Sequence, residues 1–128
     1  MATGFPASTG DVLSAAMFNG LVTFTLTTQS GATYTVANSD LYQVAILTSN
    51  AGTKTVTIAP DSTLTSAAVG SAITFINTGA GALTFAAGSG VTIVSSGTVS
   101  AAPTLAQYRS AVAIRQSANS WIIVGAIA

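Results

Sequence analysis

The chain has 128 residues, of which 49% are hydrophobic and only 5% charged, and its three basic and three acidic side chains give a net charge of +0. It has no His, no Cys and no Glu, which excludes an ordinary zinc site, a thiol centre and a Ser-His-Asp triad. Three cations make no electrostatic footprint for nucleic acid, and no apolar run approaches the roughly 18 residues of a membrane-crossing helix.

A free domain of this size usually carries far more surface charge, and near-zero net charge promotes association. Composition alone thus predicts a surface covered by neighbours. Residues 1–10 read as an irregular, uncharged arm, because Gly4, Pro6 and Gly10 forbid a long regular element. The arm lacks the basic n-region and apolar h-region of a signal peptide. Residues 11–20 read as one short helix. Asp11 caps it, Leu13, Ala16 and Met17 share its apolar face, and Asn19-Gly20 stops it. The domain expectation is an arm and helix over 1–20 and a β domain over 21–128.

From Leu21 the pattern alternates with period 2, the mark of half-buried strands. Residues 21–28 place Val22, Phe24 and Leu26 on one face and threonines on the other. Residues 32–36 follow after Ser30-Gly31, which predicts a hairpin, with Tyr34 and Val36 inward. Tyr42, Val44 and Ile46 line the next strand, and Val56 and Ile58 point inward from residues 53–58. Pro60-Asp61 ends that strand, since proline cannot donate to a ladder. A second hairpin is predicted from 72–77 and 82–85, a short strand over 91–94, and a third hairpin from 110–115 and 121–127. In that last pair Val112 and Ile114 are expected to face the core, and Arg109, Ala111, Ala113 and Arg115 the other way. The final strand is apolar on both faces, which predicts cover on both. Ile46-Leu47-Thr48-Ser49-Asn50-Ala51-Gly52-Thr53 can be laid over Phe75-Ile76-Asn77-Thr78-Gly79-Ala80-Gly81-Ala82. Unequal spacing elsewhere argues against a solenoid. The fold expected is all-β, an antiparallel β-sandwich or flattened barrel of about 7–10 short strands.

Few residues offer chemistry. Asp40 and Asp61 lie in turn contexts, where a carboxylate bonds nearby backbone N–H groups. No Asp-rich loop has calcium-ligand spacing. Gly79-Ala80-Gly81 and Gly88-Ser89-Gly90 lie between strands without a lysine, so they read as hairpin turns rather than phosphate loops. The Thr-x-Thr rows would serve as an ice-binding face only in a flat array of equal coils, against which the unequal spacing argues; threonine is also simply a good strand residue. No catalytic residue, metal or cofactor is expected. Arg109 and Arg115 read either as partner-pairing cations or as solubilising charges on an edge strand. Trp121 reads as core or interface.

Residues 70–93, from Gly70-Ser71-Ala72-Ile73-Thr74-Phe75 to Val91-Thr92-Ile93, resemble a module of tailed-bacteriophage virion proteins. Tyr108-Arg109-Ser110-Ala111-Val112-Ala113-Ile114 with Asn119-Ser120-Trp121-Ile122-Ile123-Val124-Gly125 is similar to the same group, which comprises head decoration proteins, head fibres and tail fibres. Gly10-Asp11-Val12-Leu13 through Asn19-Gly20-Leu21 resembles the leading segment of phage fibre-like proteins. The resemblance implies a non-enzymatic, β-rich protein, commonly a homotrimer, at the virion surface. For so short a chain it implies a capsid decoration (cement) protein that binds the major capsid protein and stabilises the head. The alternative it implies is a head-fibre or tail-fibre module binding the host surface. No nucleic acid, membrane or small-molecule substrate is expected as partner. The capsid-anchor candidates are Phe5, Pro6, Val12, Leu13, Met17 and Phe18. The oligomer-interface candidates are Arg109, Arg115, Trp121 and Ile123.

Overall fold

The computed structural model describes residues 15, 24–99 and 101–127. The predicted arm and helix lie outside these residues, apart from Ala15, which is helical. Alternating β-branched and aromatic residues make about half of the described chain strand. The strands run β1 (Thr25–Gln29), β2 (Thr33–Thr35), β3 (Val44–Thr48), β4 (Lys54–Ile58), β5 (Ala72–Asn77) and β6 (Leu83–Ala87). They continue with β7 (Thr92–Ser95), β8 (Thr98–Val99), β9 (Thr104–Leu105), β10 (Ser110–Ser117) and β11 (Ser120–Gly125). A 3-10 turn at Asn38–Asp40 precedes β3.

The strands form a seven-stranded sheet, β1-β3-β5-β10-β11-β7-β8, and a four-stranded sheet, β2-β4-β6-β9. Both are mixed rather than antiparallel. β1, β3 and β5 run parallel in the large sheet, and β2, β4 and β6 run parallel in the small one. The chain therefore winds as a coil, visiting the two sheets in turn. Ile46 lies beside Phe75 and Lys54 beside Leu83, the same 29-residue offset (75 − 46 and 83 − 54). The first turn is shorter, with Thr25 beside Val44 and Thr33 beside Thr55. β10 then pairs antiparallel with β5, and β9 antiparallel with β6, which ends the coil.

This winding corrects the first two predicted hairpins, and its turns are unequal in length, as the spacing implied. β1 and β2 belong to different sheets, and so do β5 and β6. Their glycine-rich links are corners between sheets. A Cβ on Gly79 would lie 2.0 Å from Asn50 O, and one on Gly81 would lie 2.1 Å from Gly52 O. Glycine alone lets two stacked corners approach so closely. The third hairpin forms as predicted, β10 antiparallel to β11.

One core serves both sheets. Phe75 of the large sheet meets Phe85 of the small one edge to face, with ring centroids 5.0 Å apart at 74°. Phe75, Phe85, Trp121, Ile123 and Ile46 are fully buried. β10 sits in the sheet with the opposite facing to that expected. Ala111 and Ala113 are buried, whereas Val112 and Ile114 are only partly so. The cause is volume. Ala111 lies beside Phe75, and Ala113 lies between Ile73 and Ile123. The large neighbours fill the interior, so the strand between them presents alanine inward.

Candidate functional site

The reversal of β10 builds an aliphatic surface on the outside of the large sheet. Paired residues on adjacent strands share a face. One outer row reads Leu26, Ala45, Thr74, Val112, Val124 across β1, β3, β5, β10 and β11, with Leu26 and Val124 exposed, Thr74 and Val112 half-buried and Ala45 buried. A second reads Ala72, Ile114, Ile122, Val94, Val99 across β5, β10, β11, β7 and β8. A third begins Thr28, Leu47, Ile76. No ionisable side chain belongs to these rows. Leu26 is 65% exposed and Val99 66%, at opposite edges of the sheet. The small sheet has the contrary character. Its outer row is Thr33, Thr55, Thr84 and Thr104, one threonine from each strand.

Four charged groups, Asp40, Lys54, Asp61 and Arg115, are spent on holding the fold. Asp61 accepts two hydrogen bonds from Arg115, Nε to Oδ1 at 3.2 Å and Nη2 to Oδ2 at 2.7 Å. Asn119 N donates to Asp61 Oδ2 at 3.0 Å, and Asp61 N donates to Asn119 Oδ1 at 2.7 Å. The Arg115 guanidinium, helped by the Asn119 N–H, holds the Asp61 carboxyl below its usual range, against the opposing effect of desolvation. The same bonds raise Arg115. Asp61 was expected to serve only its own turn; instead it ties the loop after β4 to the β10–β11 hairpin.

Lys54 is buried at the coil corners. Its Nζ donates to Asn50 O at 2.6 Å and to Gly81 O at 2.7 Å. Burial lowers its pKa. Asn77 closes the same corner, with Nδ2 donating to Gly81 O at 2.8 Å and to Leu105 O at 2.9 Å. Asp40, buried as well, accepts from Tyr34 Oη at 2.6 Å and from Ala37 N at 2.9 Å, which fits the turn role predicted for it. Burial first, and then the Asp40 hydrogen bond, push the Tyr34 phenol up.

Phe5, Pro6, Val12, Leu13, Met17 and Phe18 lie outside the described residues. Arg109 is exposed where the chain enters β10. Arg115 is on the central strand of the large sheet and is engaged by Asp61, so it is not an edge charge. Trp121 and Ile123 are fully buried within the single chain. That corrects their assignment to a subunit contact, because neither side chain reaches a surface. Trp121 Nε1 has no hydrogen-bond partner among the described residues. β11 does lie inside the sheet, as its apolar composition predicted. Its outer residues, Ile122 and Val124, form the second apolar face for which the sequence predicts cover, and Val112 and Ile114, expected to face the core, stand beside them.

Among the described residues no group of three or more His, Cys, Asp or Glu is placed to hold a metal, and no helix is long and apolar enough to cross a membrane. No family model, curated protein or solved structure matches the chain. What the arrangement can do chemically is bury apolar surface against another uncharged surface.

Proposed function

We propose that the chain is a bacteriophage virion structural protein without enzymatic activity, a capsid decoration (cement) protein that binds the major capsid protein at the capsid surface and stabilises the head. The observation that carries this reading is the uncharged aliphatic outer face of the large sheet. Contiguous apolar patches on that scale mark interaction surfaces. The resemblance to phage virion proteins supports the particular assembly. The two main segments behind it, 70–93 and 108–125, supply the contiguous strands β5, β10, β11 and β7. In this reading the two sheets are the layers of a flattened sandwich. The protein acts as a homo-oligomer, with a trimer implied by the resemblance, and the N-terminal segment bears the capsid anchor.

Binding assembled heads but not free subunits stabilises the shell by mass action. The test is to add the purified protein to undecorated heads and to measure attachment and head melting. Full-length protein is expected to saturate the heads and raise their melting temperature. A chain lacking residues 1–10 is expected to keep its circular dichroism spectrum and lose attachment. Saturation by the shortened chain overturns the anchor, and failure of the full chain to attach overturns the capsid reading. A fibre module binding the host surface is the second reading. It rests on Tyr108, which is 78% exposed with φ 62°. Host-cell binding lost in Tyr108→Ala would favour it.

A further inference from the structure

We infer that the aliphatic outer face of the large sheet is where a second copy of this chain docks, face to face about a two-fold axis. The inference takes up the self-association within the proposed function and is independent of capsid attachment.

Charge argues for this occupant. The three outer rows contain no ionisable side chain, and the chain as a whole has a net charge of +0. A charged partner surface would have to bury its charges unpaired there, at high cost. A second copy brings an equally uncharged aliphatic sheet, and no net repulsion opposes the encounter. Symmetry argues for it as well. β10 is the central strand, with three strands on either side. The two most exposed large hydrophobic residues of the rows, Leu26 and Val99, stand at the two ends of the sheet. A patch that meets its own copy is isologous and closes as a dimer. With the axis along β10, β1 of one copy lies over β8 of the other, and the less exposed middles meet. Packed sheets of this kind cross at about 30°.

Area sets the strength. Six strand spacings of about 4.8 Å and strands of about five residues give a footprint of roughly 500 Å² per copy. The pair then buries about 1,000 Å², the lower limit of a specific interface. The contact is therefore a weak, concentration-dependent dimer. The resemblance implies a trimer, so the two expectations are separable by mass.

Sedimentation velocity over a range of concentrations is the test, with circular dichroism and melting as controls for folding. The wild-type mass is expected to rise from one chain to two. Leu26→Lys and Val124→Lys, both at exposed positions, are expected to weaken the dimer by about tenfold or more, while Thr55→Lys on the outer face of the other sheet leaves it unchanged. The chain has no native cysteine, so Val112→Cys gives a second readout. Val112 lies on the central strand beside the proposed axis, and its single thiol is expected to cross-link to its own copy under mild oxidation, whereas Thr55→Cys is not. A monomer at all concentrations, a trimer, a dimer indifferent to Leu26→Lys and Val124→Lys, or equal cross-linking by both cysteines overturns the assignment. None of these outcomes bears on head attachment, which is measured separately.

Discussion

The Asp61 carboxylate has a lower pKa in the folded chain than in the unfolded one, because Arg115 and Asn119 N hold it as an anion. As pH falls through the ordinary aspartate range near 4, the unfolded chain takes up the proton first. The contribution of Asp61 is thus fully present above that range and is lost below it. Urea midpoints measured from neutral pH down to pH ~3 are expected to fall, and Asp61→Asn is expected to be less stable at neutral pH and to flatten that acid limb. Lys54 tests a different kind of dependence. Lys54→Met removes the donor to Asn50 O and Gly81 O. Gly81 O keeps its bond from Asn77 Nδ2, but Asn50 O loses this donor, and leaving a buried carbonyl unpaired costs about 1–3 kcal/mol, which denaturant titration reads as a lower midpoint at unchanged slope. Neither partnership was legible in the sequence. Lys54 and Gly81 are far apart along the chain, as are Asp61 and Arg115, and only the winding brings them together.

At the level of strands and corners, Gly81→Ala is the sharpest probe. Its Cβ would fall 2.1 Å from Gly52 O, so backbone must move and the β5–β6 corner must lift from the β3–β4 corner. Thermal melting is expected to drop strongly for Gly81→Ala and little for Gly31→Ala, whose Cβ would meet its nearest atom at 3.5 Å. Period-2 alternation located most of the strands, because alternation is a local property. β5 is the clearest case, predicted over residues 72–77 and observed at Ala72–Asn77. Pairing is not local. The path from β3 to β5, residues 49–71 by way of β4, is long enough for a crossover between parallel strands, yet its loops resemble any others. The overlay of residues 46–53 on 75–82 did contain the answer, since its offset of 29 residues (75 − 46) is the offset of the ladder itself. The shorter first turn and the antiparallel return of β9 and β10 hid its meaning. The facing of β10 was misread for a simpler reason. Valine and isoleucine are more apolar than alanine, but the space left by Phe75, Ile73 and Ile123 decides which side of the strand goes in.

For the molecule as a whole, the core and the outer aliphatic face are separate structures that share the large sheet. Substitutions can tell them apart. Trp121→Phe removes volume from a fully buried site and is expected to lower the melting temperature while leaving the sedimentation mass of the folded chain unchanged. Val124→Lys is expected to do the reverse, because Val124 is 46% exposed and exposed substitutions rarely cost stability. Of the candidate interface residues, Trp121 and Ile123 stand in the strand whose two apolar faces were legible in the sequence, and both side chains enter the core.

The closing of the coil by β9 and β10 has a consequence for how such a chain can grow. Units appended beyond the C-terminus would find β5 and β6 already taken by returning strands. Tandem duplication of residues 46–74, by contrast, would insert one whole rung between neighbours that already repeat at that interval. Each sheet would widen by a strand, and the termini would keep their partners. The inserted copy of Asp61 would face no arginine, which makes it the position at which a lengthened descendant must change first.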